Sequence, residues 1–184
     1  MQKYLITSRE FYTDTPAVFR SILQEQFIEH FPTYALYRDK SNPNYAVQAE
    51  HFVEVCSNFE NIKSFIHQHV DLAKKLDATG VHLTSKQFDK IVEAKEAGLE
   101  VVISTHSMDE VLKAEELGAD AVTYSPIFHS PGKGEPKGID NLKELLKKCN
   151  IKVFALGGIV DNQHVKMIEE SGAYGFASIR YFYS

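Results

Sequence analysis

Apolar, β-rich runs alternate with amphipathic helical patterns along the chain. The pattern predicts eight strands, at residues 3–7, 33–37, 61–66, 80–83, 100–104, 119–124, 152–156 and 174–179. Seven helices are predicted between them, and in the first of these apolar residues recur every three or four positions from Ala17 to Phe31. The alternation predicts a parallel sheet covered by helices.

Polar residues and glycines that are typical of helix boundaries mark the ends of several predicted helices. Serine or aspartate precedes three of the predicted helices, and glycine follows three apolar-periodic runs. The predicted first residues are marked by Ser85, Ser107 and Asp161, and the predicted ends by Gly98, Gly118 and Gly172.

A polar cluster follows six of the strand-like runs, and five of the eight histidines lie in these clusters. Chemistry that collects at the carboxyl ends of strands is typical of a (β/α)8 TIM barrel. We therefore predict one α/β barrel domain over residues 1–184 that lacks the C-terminal closing helix. An open doubly wound sheet is the weaker alternative, because no Gly-x-Gly-x-x-Gly follows the first strand.

Composition and net charge limit the classes of partner that this chain is expected to bind. The net charge of −5 offers no global basic field for nucleic acid or an anionic membrane. No run approaches the ~18 apolar residues that a membrane span needs, and the N-terminal apolar stretch is too short for a signal peptide. Cys56 and Cys149 form no recognisable motif, so reduced thiols are expected. These observations predict a cytoplasmic protein.

Three features favour an anion site. The pair Gly157-Gly158 ends the seventh strand, where barrels often bind phosphate through backbone N–H groups. Lys133 lies in a loop rich in proline and glycine that would place its charge over a ligand. Arg38 and Lys40 flank Asp39, so strand alternation sends both cations to one face. A tight turn and a solvated charge run are the alternative interpretations.

Eight short motifs occur in order along the chain. They are Tyr4-Leu5-Ile6-Thr7, Arg38-Asp39-Lys40, Val70-Asp71-Leu72-Ala73, Gly80-Val81-His82-Leu83, Ser104-Thr105-His106, Gly118-Ala119-Asp120, Pro126-Ile127-Phe128 with Lys133, and Gly157-Gly158-Ile159. Together they resemble the thiamine phosphate synthase/TenI superfamily over nearly the whole chain. The resemblance implies one of two activities. Synthases join a pyrimidine diphosphate to a thiazole phosphate with Mg²⁺ and release pyrophosphate, whereas TenI-type relatives tautomerise a carboxythiazole phosphate without metal.

The resemblance also implies roles for individual residues. It assigns Arg38, Lys40, Ser104 and Lys133 to the diphosphate, and it places Gly158, beside Gly157, at the thiazole phosphate. His82 matches the histidine of the Gly-Val-His-Leu strand.

The chain departs from the synthase pattern where that pattern binds metal. Gln68 and Gln87 stand where synthases have aspartates that bind Mg²⁺, and Leu36 replaces a glutamine. Neutral amides are poor ligands for a hard cation, so we expect no cofactor, with Mg²⁺ needed only if the synthase alternative holds. Loss of the metal is expected to suppress pyrimidine transfer.

Histidines are the candidate acids and bases. TenI-type proteins have a histidine where this chain has Pro126, and we predict that His129, His82 or His67 takes that role. Zn²⁺ binding by clustered histidines is a minor alternative.

These features predict a thiamine-pathway protein that binds small phosphorylated thiazole or pyrimidine substrates. A TenI-like tautomerase is slightly preferred, with a synthase or a non-catalytic regulator as alternatives. The missing last helix is expected to leave an apolar groove beside Tyr181-Phe182-Tyr183, which predicts a homodimer.

Overall fold

Eight parallel strands close into a barrel in chain order in the computed structural model, which describes residues 1–183. The strands are β1 Gln2–Ile6, β2 Tyr34–Tyr37, β3 Lys63–His67, β4 Gly80–Leu83, β5 Glu100–Thr105, β6 Ala121–Tyr124, β7 Lys152–Leu156 and β8 Gly175–Ser178. β1 pairs with β8, with Gln2 opposite Gly175, so the sheet has no free edge. The predicted (β/α)8 fold class is confirmed.

Helices cover the outside of this barrel. They are α1 Arg9–Tyr12, α2 Pro16–His30, α3 Tyr45–Ser57, α4 Val70–Lys75, α5 Ile91–Glu96, α6 Met108–Glu116, α7 Gly138–Lys148 and α8 Asn162–Ser171, with 3-10 turns at Phe88–Lys90 and Arg180–Tyr183. Helices α2 to α8 are the seven predicted from the sequence, whereas the four-residue α1 was not predicted. Among the described residues, no helix is both long and apolar enough to cross a membrane.

Side-chain caps start two helices where the sequence predicts them. The Ser107 Oγ accepts a hydrogen bond from the Glu110 N–H at 3.2 Å, and Asp161 Oδ1 accepts one from the His164 N–H at 2.9 Å. The prediction that Ser85 begins a helix is wrong. The Gln87 side chain closes a turn onto the Thr84 N–H there, and α5 begins only at Ile91.

Strand alternation separates two apolar layers. One lies between the sheet and the helices and includes Leu23, Phe52, Val111 and Ile168. The other fills the barrel interior, where Tyr4, Tyr34, Phe65 and Phe154 pack with ring centroids 4.8–5.9 Å apart. Four large rings in so small a barrel leave no room for side chains at some facing positions.

Glycines make room for these rings. A Cβ at Gly80 would lie against the Glu100 carbonyl oxygen and 2.7 Å from the Phe65 ring. A Cβ at Gly175 would meet the Gln2 carbonyl oxygen and the Phe154 ring in the same way. The two glycines therefore let aromatic rings fill the lower half of the barrel.

The apolar groove predicted beside the last strand is filled by the chain itself. Phe182 is fully buried in the final 3-10 turn, stacked on Phe176 with centroids 5.5 Å apart and edge-on to His30 at 5.4 Å. The expectation of an open groove is wrong, because the three-residue aromatic tail folds back onto α2. The homodimer stays a prediction.

Replacing Gly80 with alanine is expected to destabilise the fold by about 3 kcal/mol, the upper end for overpacking, because the new methyl group meets backbone on one side and a ring on the other. The measurement is the free energy of unfolding in urea. Gly98→Ala is the control, because Gly98 has φ +84° but nothing within 4 Å of its Cβ position, so only the backbone cost of about 1 kcal/mol applies. Equal losses in the two variants would contradict the packing explanation.

Candidate active site

A cavity of about 720 Å³ opens at the carboxyl ends of the strands. All eight strand–loop junctions contribute lining residues, including the end of β1 at Ile6 and the end of β8 at Ser178. A second hollow of about 510 Å³ lies outside the barrel beside Tyr45 and Glu93, where no cations converge. The barrel mouth is therefore the candidate site, as expected for this fold.

Three cations from different loops converge on the mouth. Arg38, Lys40 and Lys133 all line the cavity, although they come from the loops after β2 and β6. The pKa of Lys40 is lowered, first by the charge of Arg38, then by burial and by the charge of Lys133. Burial also lowers the pKa of Arg38. Positive charges that influence one another in this way, without a neutralising partner, favour an anion with several charges.

Asp39 does not neutralise this cluster. Its carboxylate is buried beneath the loop, where Oδ2 lies 3.2 Å from the Arg9 Nε and Oδ1 accepts a hydrogen bond from the Ser41 N–H. Arg38 and Lys40 line the cavity while Asp39 points away, which is the alternation that the sequence predicts.

A buried hydrogen-bonded chain supports Ser104 from below. The Tyr4 hydroxyl lies 2.7 Å from the His82 Nδ1, and the His82 Nε2 lies 2.9 Å from the Ser104 Oγ. His82 is 2% exposed and does not line the cavity, whereas Ser104 does. His82 therefore acts on the cavity through Ser104.

The tautomer of His82 follows from the hydrogen bonds that join Tyr4, His82 and Ser104. Burial raises the pKa of Tyr4, so its phenol stays protonated, and burial lowers the pKa of His82 well below its ordinary value, so its ring is neutral. Within residues 1–183 the phenol has no acceptor other than Nδ1, so Tyr4 donates to Nδ1. Nε2 then carries the proton and donates to Ser104, whose hydroxyl hydrogen is left to donate into the cavity.

His67 lines the cavity beside the cations and is 7% exposed. Burial lowers its pKa to about 3, with further lowering by Arg38, Lys40 and His69. The ring is neutral at physiological pH, so it can accept a hydrogen bond but is a weak base.

The glycine pair after β7 is required by close packing. Gly157 and Gly158 have φ +108° and +69°, and both line the cavity. A Cβ at Gly157 would lie 2.7 Å from the Pro126 Cα, and one at Gly158 would lie 2.8 Å from the Phe128 Cβ. The loops after β6 and β7 therefore form one wall of the mouth.

Lys133 extends from this wall on a loop that is anchored at its base. The Lys137 N–H donates to the Pro126 carbonyl at 2.8 Å and the Gly138 N–H to the Ile127 carbonyl at 2.9 Å. Lys133 lies between two glycines with positive φ, at positions 132 and 134. The charge is thus carried by a short exposed arm above the cavity.

The structure does not place His129 in the site. Its side chain is exposed and outside the cavity lining, because Phe128 packs against His164 with centroids 4.5 Å apart and directs the chain outward. The prediction that His129 supplies the acid or base gains no support from the cavity lining and stays a prediction. Of the predicted histidines only His67 lines the cavity, and His106 lines it as well.

Some lining residues were missed from the sequence. Glu10 and Phe11 enter the mouth through α1, whose Ser8 N-cap accepts a hydrogen bond from the Phe11 N–H at 3.4 Å. The N-cap rule applied to Ser8 would have found this helix. Lys86 also lines the mouth and was not singled out.

Comparison with known proteins identifies relatives of this chain. Residues 3–182 match the TMP-TENI family, described as thiamine monophosphate synthase. A putative thiamine-phosphate synthase 2 of Aquifex aeolicus is 38% identical over 120 residues, which cover 64% of each chain. A thiamine-phosphate synthase of Clostridium tetani is 27% identical over 186 residues, covering 96% of this chain and 85% of the relative.

A solved structure is also similar. The thiamine phosphate pyrophosphorylase of Pyrococcus furiosus superposes with a TM-score of 0.83 and 25% identity, over 97% of this chain and 85% of the other. Coverage of curated relatives varies, because the matched region spans 64% of the Aquifex protein and 55% of a Geobacter sulfurreducens relative.

Removing the Tyr4 hydroxyl is expected to weaken anion binding, while the aromatic ring stays in place and continues to fill the core. Tyr4→Phe leaves His82 Nδ1 unpaired, which costs about 1–3 kcal/mol of stability and frees the ring to change tautomer. The measurements are urea unfolding, pyrophosphate affinity by calorimetry and the ¹⁵N shifts of His82. Tyr34→Phe is the matched control, since its hydroxyl bonds Tyr174 at 3.3 Å. Equal pyrophosphate affinity in Tyr4→Phe and wild type would show that the Tyr4–His82–Ser104 hydrogen bonds do not support anion binding.

Stability is expected to fall as pH drops below about 6.5, the unfolded histidine pKa. The folded-state pKa values of His67 and His82 are lowered, so the unfolded state binds more protons in this range and stability rises with pH. Each histidine contributes a slope of about 1.4 kcal/mol per pH unit. Urea unfolding across this range measures the slope of stability against pH. His67→Asn should lower that slope by the contribution of one histidine. An unchanged slope in that variant would refute the assignment.

Proposed function

Because the chain belongs to the thiamine monophosphate synthase family, we propose that it catalyses the synthase-type reaction, joining a pyrimidine diphosphate to a thiazole phosphate with release of pyrophosphate. The observation that carries the proposal is the convergence of Arg38, Lys40 and Lys133 with the Ser104 hydroxyl on one cavity. A leaving group with several negative charges needs this kind of environment.

The proposed transfer needs no acid or base on the thiazole. The bond between the pyrimidine methylene carbon and the diphosphate oxygen breaks, and its electron pair leaves with pyrophosphate. The thiazole nitrogen lone pair forms the new carbon–nitrogen bond, which makes the ring a cation. Arg38, Lys40 and Lys133 stabilise the charge that grows on the leaving oxygens, and Ser104 donates a hydrogen bond to them.

The thiazole phosphate would bind at the wall formed by the loops after β6 and β7, beneath the arm that carries Lys133 and away from Arg38 and Lys40. Gly157 and Gly158 line this part of the mouth together with Arg180, which follows β8. The β7–β8 end of a barrel is a common phosphate site, and a guanidinium suits phosphate through its planar fork. The two anion subsites would hold the two substrates side by side.

Two observations favour this reaction over the TenI-type tautomerase that the sequence slightly preferred. The curated relatives described above are named as a putative thiamine-phosphate synthase and a thiamine-phosphate synthase, and His129, the predicted acid or base, lies outside the cavity. A tautomerase moves a proton, and the remaining predicted histidines are neutral rings with lowered pKa values. The non-catalytic alternative is tested by the same assay.

The purified chain is expected to form thiamine phosphate from the pyrimidine diphosphate and the thiazole phosphate, measured by fluorescence after oxidation of the product to thiochrome phosphate. Carboxythiazole phosphate offered alone, followed by NMR, tests the tautomerase. Binding of both substrates without product would instead support a carrier or regulator.

Arg38→Ala and Lys133→Ala are each expected to weaken binding of the pyrimidine diphosphate by about 1.5–3 kcal/mol, the range for hydrogen bonds to charged groups. Isothermal titration calorimetry measures the loss. Lys143→Ala, on the exposed face of α7, removes the same charge away from the cavity and should leave affinity unchanged. Unchanged affinity in both site variants would refute the anion site.

A further inference from the structure

The loops after β3 and β4 are joined by a side-chain amide. The Gln87 Oε1 accepts a hydrogen bond from the Thr84 N–H at 3.0 Å, and its Nε2 donates one to the Gln68 carbonyl at 3.2 Å. Both ends of the amide therefore bond the backbone. Gln68 has φ +71°, a left-handed conformation that the amide helps to hold.

This is the region where the resemblance places the magnesium ligands of synthases, and the residues present do not fit that metal. Mg²⁺ prefers carboxylate and phosphate oxygens in octahedral geometry. Gln68 and Gln87 offer only neutral amides, and both polar ends of the Gln87 amide are already hydrogen-bonded. Within residues 1–183 no group of three or more His, Cys, Asp or Glu side chains is arranged to hold a metal ion.

The side chains that line the mouth are mostly cationic, whereas the protein ligands of a Mg²⁺ site are mostly anionic. Five cationic side chains line it: Arg38, Lys40, Lys86, Lys133 and Arg180. Among the described lining residues Glu10 is the sole carboxylate. None of the five cations takes part in a salt bridge anywhere in residues 1–183. A dication added here would meet repulsion rather than ligands.

Lys86 is a cation directly before Gln87, the position at which the resemblance implies a metal ligand of synthases. It lies in the Thr84-Ser85-Lys86-Gln87 stretch, where the resemblance to synthases implies a Gly-Gln-Glu-Asp run, so a basic residue stands in place of an acidic one. The Lys86 N–H donates to the Thr84 Oγ1 at 3.3 Å, which fixes the turn below the side chain. The side chain itself is exposed and lines the cavity.

We propose that this chain binds the diphosphate of its substrate without a divalent cation, with Lys86 joining Arg38 and Lys40 in place of the metal. The Gln87 amide joins the two loops at which the resemblance implies the metal ligands of synthases. The inference rests on the proposed function for the identity of the diphosphate.

Calorimetry with inorganic pyrophosphate, on the full chain, tests the proposal in EDTA and in excess Mg²⁺. We expect binding in EDTA, with Mg²⁺ improving the affinity less than about threefold. Lys86→Glu should weaken binding in EDTA about tenfold or more, since a charge-assisted contact becomes a repulsion. Lys143→Glu makes the same change in net charge on α7 and should have no effect.

Restoring the carboxylates supplies the converse test. Gln68→Asp combined with Gln87→Asp should make pyrophosphate binding weaker in EDTA and responsive to Mg²⁺, since acids replace neutral amides beside the anion. Circular dichroism and the unfolding midpoint verify that this variant folds. Should it not fold, the comparison of wild type with Lys86→Glu decides alone.

The outcomes separate this inference from the proposed function. Pyrophosphate binding by the wild type that needs Mg²⁺ overturns the inference, whether or not thiamine phosphate forms. Metal-independent pyrophosphate binding without any turnover supports the inference and refutes the synthase activity. Absence of binding in both buffers overturns both.

Discussion

The packing of Tyr4 at the centre of the barrel is the interaction on which both the core and the mouth depend. Its ring contacts Tyr34, Phe65 and Phe154 from below, and its hydroxyl orients His82 above. Because the ring is fully buried, the hydroxyl can pair only with what the barrel places beside it. The core therefore leaves the single hydroxyl hydrogen of Ser104 free to donate into the cavity.

The prediction of the fold succeeded because strand and helix periodicities differ, and polar clusters mark the strand ends. Caps at Ser107 and Asp161 were predictable because they involve only local bonds. Ser85 was misassigned because the Gln87 N–H, a donor that a Ser85 cap would use, is bonded instead to the Thr84 carbonyl at 3.0 Å.

The site was harder to predict than the fold, because its members depend on loop paths. Arg38 and Lys40 are placed by strand alternation and were identifiable, whereas the exposure of His129 depends on where Phe128 packs. The filled groove has the same origin, since the burial of Phe182 depends on how the chain turns after β8. Local patterns do not encode such contacts between distant residues.

The loop that carries Lys133 is anchored at its base, and this anchoring limits how far the lysine charge can move. Two hydrogen bonds fix its base, and glycines flank the lysine, so motion is confined to a short arm. Loops of this kind move on about the nanosecond to microsecond scale, whereas typical enzymes turn over about 1–1,000 times per second. A lysine on such an arm samples its positions many times within the time of a typical turnover, so its charge would act on a bound anion as an equilibrium average rather than as a gate.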